Sequence, residues 1–134
     1  DLMWRNCGVV RNEEGLRRGL DGLGELGASL SAVDVSPTGE GWNDLGLLLD
    51  LRSALLTGEA TIRGALARTE SRGAHNRSDF PELDPSGLEH HQVRWDPATG
   101  SIEGLSEPVP SVSEELSSWL ARPIVEVGGD RLLE

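Results

Sequence analysis

Lysine and tyrosine are absent from this chain of 134 residues, and cysteine occurs only once. A single cysteine, Cys7, cannot form an internal disulfide, which excludes a small disulfide-stapled scaffold and fits a reducing compartment. Fully apolar runs are as short as Leu47-Leu48-Leu49, far below the length of a transmembrane helix. No basic and then apolar leader opens the sequence. We therefore expect a cytoplasmic protein without a membrane span of its own.

The chain has far more acidic than basic side chains. Arginine supplies all 12 basic side chains, against 23 Asp and Glu, and the formal net charge is −11. Because such a chain repels phosphate backbones, we expect no nucleic-acid partner. Hydrophobic residues make up 37% of the sequence, enough to bury a core in one domain.

Hydrophobic spacing predicts two helices in the first 30 residues. A short helix covers residues 1–9 and is interrupted near Gly8. Asn12 is a favourable N-cap for the second helix, in which leucines recur at spacings of three and four as far as Leu30. One face of this second helix is therefore expected to pack against a partner.

The third predicted helix is the longest and the most apolar. Asn43 or Asp44 is expected to cap its start, and the helix to run to about Ser71, with Gly73 just past a cationic last turn. Leucines and alanines occur nearly all round the helix between residues 45 and 56. This part is therefore expected to lie at the centre of a bundle.

The second half of the chain is rich in turns. Residues 96–100, Asp-Pro-Ala-Thr-Gly, form a strong turn signal between two short extended runs and predict a β-hairpin. Ser111 or Ser113 begins a last short helix. The predicted fold is mainly α: a three-helix bundle, spectrin-repeat-like, in residues 1–73, a loop and β-hairpin extension of the same domain in residues 74–110, and a short helix and tail in residues 111–134.

One short motif has the letters of a nucleotide-binding site. Residues 22–27, Gly-Leu-Gly-Glu-Leu-Gly, match the dinucleotide fingerprint, which needs a strand immediately before it and a helix starting within it. Here the letters fall inside the helix that begins after Asn12. We therefore assign no cofactor-binding residue to this segment.

Metal-ligating and nucleophilic side chains are few. The soft or borderline metal ligands have no spacing typical of a metal site; they are His75, His90, His91 and Cys7. Cys7 has no neighbouring base to activate it and is interpreted as a small core residue. The acidic run in residues 79–84 is interpreted as a solvated loop. No catalytic residue and no metal ligand are assigned.

Arginines concentrate in residues 63–77, where four of them accompany one acid, Glu70, and the local charge is +3. One interpretation is compensation of a helix C-terminus together with an ion pair to Glu70, worth about a few tenths of a kcal/mol when exposed. The other is an interface at which the guanidinium groups meet another domain. The residues alone favour neither.

Two segments resemble one known family. Residues 65–81, ALARTESRGAHNRSDFP, closely resemble a segment of the flavoprotein subunit of succinate dehydrogenase and fumarate reductase, and L-aspartate oxidases carry a similar E-S-R-G-x-H. Residues 3–12, MWRNCGVVRN, are similar to the opening of the same family's C-terminal helical domain. The two matches occur in the right order, and the resemblance covers about residues 1–105.

The resemblance implies a helical domain attached to the FAD-binding and capping domains of an oxidoreductase that acts on succinate or fumarate. The family's flavin and substrate sites lie upstream of the matched part, so FAD is expected in the parent protein and not in this fragment, which would not be catalytic by itself. We expect a structural and interdomain role for the family motif, which comprises residues Glu70, Ser71, Arg72, Gly73, His75 and Arg77. Of these, Arg72 and Arg77 are expected to be solvent exposed in this chain.

Two classes of function stay open. The favoured one is the C-terminal domain of a succinate dehydrogenase or fumarate reductase flavoprotein, for which an iron–sulfur subunit is a further partner and the inner face of the membrane the location. An L-aspartate oxidase is the sibling alternative, although Ala74 before His75 favours the dehydrogenase. The other class is a standalone helical protein-interaction module without flavin. An exposed apolar or arginine-rich face is expected of a domain separated from its neighbours.

Overall fold

The structure is a computed structural model that describes residues 1–122. The helices are α1 (Leu2–Cys7), α2 (Glu13–Ser29), α3 (Gly41–Ala67) and α4 (Glu114–Leu120), and the strands are β1 (Val10–Arg11), β2 (Asn76–Arg77), β3 (Glu89–Asp96) and β4 (Ser101–Pro108). The fold is mainly α with a small antiparallel hairpin, as the sequence predicts. Within the described residues, none of the helices combines the length and the hydropathy needed to cross a bilayer.

Helix α2 begins where the sequence indicates. The Asn12 side chain accepts a hydrogen bond from the Gly15 amide at 2.7 Å. Two glutamates occupy the first turn, where their negative charge interacts favourably with the positive end of the helix dipole. The glycine-rich letters of residues 22–27 lie inside this helix, as expected. Gly22 faces Leu2, and a Cβ there would lie 2.7 Å from the Leu2 Cδ1 atom. The glycine therefore lets α1 approach α2 closely.

The core lies where α1, α2 and α3 meet. Its buried members are Cys7, Leu16, Leu23, Ile62 and Ala65, with Leu2, Met3, Leu20, Leu55 and Leu66 packed against them. Three packed helices and the interior position of Cys7 are thus confirmed. Burial raises the pKa of the Cys7 thiol, and the charge of Arg11 opposes that shift.

Helix α3 differs from its predicted limits at both ends. It begins at Gly41, where the Thr38 hydroxyl accepts a hydrogen bond from the Gly41 amide at 3.1 Å, so neither Asn43 nor Asp44 is its N-cap. It ends at Ala67, because Arg68 turns to an extended conformation. The expected end near Ser71 and the role of Gly73 in capping the helix are therefore wrong.

The expected central position of the apolar part of α3 is also wrong within this chain. Four of its leucines are exposed, together with Trp42: Leu47, Leu49, Leu51 and Leu56. Only the C-terminal half of α3 supplies buried core residues, through Ile62 and Ala65. The N-terminal half presents an apolar surface to solvent.

Strand pairing connects the two halves of the chain. Strand β1 pairs in parallel with β2, with Val10 opposite Asn76, and brings the segment after α3 against the segment before α2. Strands β3 and β4 form the predicted hairpin, with Asp96 opposite Ser101 and Gly100 at a φ of 67° in the turn.

The last helix begins as one of the two predicted alternatives requires. The Ser113 hydroxyl caps α4 by accepting a hydrogen bond from the Leu116 amide at 3.3 Å. The tail predicted at the end of the chain lies outside the described residues from position 123 onward. The division at residues 73 and 110 stays a prediction.

Candidate functional site

The residues that carry the family resemblance lie mainly in the turn-rich segment that leaves α3. Ser71 begins it, because its amide donates to the Glu82 carbonyl at 3.0 Å and draws the chain away from the helix axis. Arg72 and His75 then exchange two main-chain hydrogen bonds at 2.8 and 2.9 Å. Gly73 lies between them with a φ of 58°, a left-handed conformation that favours glycine. The segment is a tight, hydrogen-bonded turn.

Arg77 lies at the centre of this segment and is 1% exposed. Its Nε and Nη2 atoms donate to the two carboxylate oxygens of Asp79 at 2.7 and 2.8 Å. Its Nη1 atom donates to the Ala65 carbonyl at 2.8 Å, in the last turn of α3. The expectation that Arg77 is solvent exposed is therefore wrong: its charge is neutralised by Asp79 and satisfies the C-terminus of α3.

Asp79 interacts with the start of α2 and, through Arg77, with the end of α3. Besides binding Arg77, its Oδ2 atom accepts a hydrogen bond at 2.8 Å from the amide of Glu13, the first residue of α2. The carboxylate thus lies at the positive end of the α2 dipole. Hydrogen bonding from Arg77, the largest cause, holds the pKa of Asp79 well below its ordinary value. The sequence interpretation of this acid as part of a solvated loop missed its structural role.

Glu70 forms the second charged cluster of the segment. It is 3% exposed and contacts two arginines: Arg72 donates from Nε at 2.8 Å and from Nη2 at 3.0 Å, and Arg68 donates from Nη1. The amide of Asp84 also donates to Glu70 at 2.9 Å. These donors, with Arg72 first, lower the pKa of Glu70 from 4.5 to about 2. The predicted ion pair to Glu70 is confirmed, and it involves two arginines.

Arg72 is less buried than Arg77, and 30% of its side chain is exposed. Its Nη2 atom also reaches the Asp84 carbonyl at 2.8 Å. Its hydrogen bonds to the Glu70 carboxylate raise the pKa of Arg72, which keeps the guanidinium charged. Arg72 thus keeps an open side while it is held by this chain.

His75 connects the motif to β1. Arg11 Nη1 lies 3.0 Å from the Nδ1 atom of His75, and the Nε2 atom lies 3.3 Å from the Arg68 carbonyl. Since a guanidinium can only donate, Nδ1 accepts and the proton of the neutral ring resides on Nε2. Burial is the largest cause that lowers the pKa of His75, and the charges of Arg11, Arg77 and Arg68 add to it.

Ser71 connects the start of the motif segment to its end. Its hydroxyl accepts from the Arg77 amide at 2.9 Å and lies 2.9 Å from the Phe80 carbonyl, to which it donates. The Arg77 guanidinium also lies over the Phe80 ring, 4.9 Å from its centroid. Charged and polar groups of the motif therefore contact one another and the ends of two helices, an arrangement suited to rigidity.

The structure brings five motif side chains into one segment and adds partners that the sequence did not indicate. Glu70, Ser71, Arg72, His75 and Arg77 all lie there with Gly73, and their missed partners are Arg11, Asp79 and Asp84. The spacing of Arg77 and Asp79 was the available signal, because side chains two residues apart in an extended segment lie on the same side. Within residues 1–122, no group of three His, Cys, Asp or Glu side chains is placed to hold a metal ion.

A family model described as the fumarate reductase flavoprotein C-terminus matches residues 1–115. The chain belongs to this family. The succinate dehydrogenase flavoprotein subunit of Coxiella burnetii is 34% identical over 92 residues, 68% of this chain and 16% of that protein. The L-aspartate oxidase of Pyrococcus furiosus is 38% identical over 81 residues, 60% of this chain and 13% of that protein.

A solved structure of a variant of E. coli quinol fumarate reductase superposes on this fumarate reductase flavoprotein C-terminal domain with a TM-score of 0.75 and 30% identity. The match covers 84% of this chain and 20% of that one. The chain thus spans about a sixth of the length of the curated relatives that it matches. The helices, the motif segment and the hairpin together form the C-terminal part of a flavoprotein of the succinate dehydrogenase and fumarate reductase group.

Proposed function

We propose that this domain supports the FAD-binding and capping domains of a longer succinate dehydrogenase or fumarate reductase flavoprotein by packing against them, and has no active site of its own. The observation that carries the proposal is the exposed apolar half of α3. Leu49, in its middle, is 53% exposed. A helix that is apolar nearly all round is stable when it is covered, so this half requires a neighbour.

The motif segment supports the same proposal in a different way. Arg77 and Asp79 hold the C-terminus of α3 against the start of α2, so they fix the direction in which α3 extends from the core. Arg72 keeps an exposed side and is the motif arginine left to contact a neighbouring domain. In this proposal the motif sets the orientation of the docking helix, and the exposed leucines supply the contact area.

The chemistry belongs to the parent protein in this proposal. FAD, held by the upstream domains and by no residue assigned in this chain, would supply hydride exchange with a C4 dicarboxylate. An iron–sulfur subunit would carry the electrons onward, and the assembly would lie at the cytoplasmic face of a membrane through its partner subunits. Membership of the fumarate reductase flavoprotein family supports these assignments. An L-aspartate oxidase is the second candidate, favoured by the 38% identity to the Pyrococcus furiosus enzyme.

Split expression tests the proposal. The reading frame upstream of Asp1 is first sequenced, and its FAD-binding and capping part is expressed as a separate polypeptide beside this chain carrying a tag. The two parts should co-purify with bound flavin, and the complex should reduce a dye with succinate or, in the alternative, with L-aspartate. A start codon directly before Asp1, or no association of the two parts, would contradict the proposal and favour a standalone interaction module.

Two matched variants locate the docking face. Leu49→Glu should abolish co-purification, whereas Val112→Glu, at a position 52% exposed and outside α3, should leave it intact. Both replaced side chains are exposed, so thermal unfolding of the isolated chain should change little in either variant. Equal loss of association in both variants would reject α3 as the docking face.

A further inference from the structure

An open cleft of about 510 Å³ lies beside the motif segment, between β1, the last turns of α3 and β3. Five basic or titratable residues line it: Arg11, Arg68, His75, His90 and His91. These include all three histidines of the chain. The remaining lining residues are Thr61, Gly64, Ala65 and Gln92, so the lining has no carboxylate. In a chain of net charge −11, this is a local concentration of positive and neutral donors.

The positive charge of the cleft comes from Arg11. The charge of Arg68 is matched by Glu70, to which its Nη1 atom donates, and its Nη2 atom donates to the Glu89 carbonyl at 2.6 Å. None of the ion pairs in the described part of the chain involves Arg11. Arg11 instead donates from Nε to the Gly8 carbonyl at 2.8 Å and contacts His75 through Nη1. Its Nη2 atom keeps two donors for a ligand.

His91 adds a further donor. His91 is held through Nδ1, which lies 2.9 Å from the Ser106 hydroxyl, and its Nε2 atom is left for a ligand. Two carbonyls near the negative end of α3 already accept hydrogen bonds, because Ala65 accepts from Arg77 at 2.8 Å and Arg68, directly after the helix, accepts from His75 at 3.3 Å. These two carbonyl oxygens of the cleft lining therefore do not face an anion unpaired.

We infer that this cleft binds an oxyanion-bearing ligand, one that presents a carboxylate or a phosphate group to Arg11 and His91. A guanidinium fork matches the planar oxygens of either group, and a neighbouring imidazole supplies a second direction of hydrogen bonding. The volume exceeds that of a single small anion and leaves room for the group to which the oxyanion is attached. Every residue that forms the site belongs to this chain.

Titration of this chain with small anions tests the inference. Sodium phosphate and sodium acetate are added at pH 7 and constant ionic strength, with sodium chloride as the reference, and amide shifts are followed by NMR. The amides of Gly64 and Gln92 in the cleft should shift with a saturable dependence, and that of Gly104 in the hairpin should not. Saturation by phosphate alone or by acetate alone supports the inference and assigns the group; shifts that chloride reproduces overturn it.

A pair of matched variants separates the cleft from general charge. Thr61 lines the cleft and is exposed, and Thr57 lies one turn earlier on α3, also exposed and outside the lining. Both variants, Thr61→Glu and Thr57→Glu, change the net charge equally. We expect Thr61→Glu to weaken anion binding at least about tenfold and Thr57→Glu to leave it near that of the original chain. Equal affinities in the two folded variants overturn the inference, while the proposed docking of α3 is unaffected by this result.

Discussion

Arg77 and Asp79 form a bidentate ion pair that connects the C-terminus of α3 to the N-terminus of α2. The Arg77 Nε and Nη2 atoms lie 2.7 and 2.8 Å from the Asp79 oxygens, while Arg77 also binds the Ala65 carbonyl of α3 and Asp79 the Glu13 amide of α2. A cation thus meets the negative end of α3 and an anion the positive end of α2, and the two charges neutralise each other. This pair explains why a charged residue occupies the interior of a small domain.

Replacing Asp79 by Asn should destabilise the domain markedly. The variant leaves the Arg77 guanidinium buried without a counter-charge, and we expect a loss of about 2–3 kcal/mol in the free energy of unfolding. Urea denaturation followed by circular dichroism measures it. Glu103→Gln is the control, because it breaks the exposed pair that Arg94 makes with Glu103 at 3.0 Å and should change stability little. Similar losses in the two variants would contradict the interior role of Arg77.

Acid should destabilise the domain below pH 4.5 through Glu70. The pKa of this carboxylate is lowered from 4.5 to about 2 in the folded chain, so the folded state binds its proton less readily than the unfolded chain does. The stability that Glu70 contributes is complete above pH 4.5 and is lost as the pH falls toward 2. Melting temperatures measured between pH 2 and pH 7 should therefore fall in this window.

The Glu70→Gln variant identifies the group responsible. Without the carboxylate, the fall of the melting temperature below pH 4.5 should be shallower, although not absent, because the pKa of Asp79 is lowered for the same reason. The variant should also melt at a lower temperature at pH 7, since Arg68 and Arg72 lose their shared anion. An unchanged acid profile in Glu70→Gln would show that the Glu70 cluster does not control the pH dependence.

Local chemistry was sufficient to predict much of the fold. The start of α2 follows from Asn12 and the acids after it, and the hairpin from the turn residues 96–100, because in both cases the interacting groups are neighbours in the sequence. The position of Cys7 in the core could be inferred from its apolar character and the lack of a nearby base. The resemblance to the flavoprotein family likewise rests on runs of contiguous residues.

The end of α3 could not be predicted in that way. Residues 68–73 have a composition that suits a helix end with a glycine cap, but contacts with distant residues draw the chain off at Arg68. The Ser71 amide donates to the Glu82 carbonyl, and Arg77 donates to the Ala65 carbonyl in the last turn of α3. The exposed half of α3 was missed for another reason: an apolar pattern indicates that a helix is covered, and not whether the cover belongs to the same chain.

His75 should add a second, separate pH dependence near neutrality. Its pKa is lowered from 6.5 by burial first and then by the three neighbouring arginines, so the unfolded chain takes up this proton at a higher pH than the folded one. Stability attributable to neutral His75 is complete above pH 6.5 and declines as the pH falls below it. His75→Gln should flatten the free energy of unfolding between pH 5.5 and 7, measured by urea denaturation, and a slope equal to that of the original chain would contradict this assignment.

Two glycine-to-alanine changes should shift stability in opposite directions. Gly24 lies inside α2, and a Cβ there would meet no atom within 4 Å. Gly24→Ala should therefore stabilise the domain by about 0.5–1 kcal/mol, because alanine loses less conformational entropy in a helix. Gly73 has equally open surroundings, but its φ of 58° is one that an L side chain adopts at a cost, so Gly73→Ala should destabilise by about 1 kcal/mol. Since neither change creates a clash, urea denaturation of the two variants compares backbone conformation alone. A gain in stability for Gly73→Ala would mean that the turn between Arg72 and His75 is not left-handed at this position.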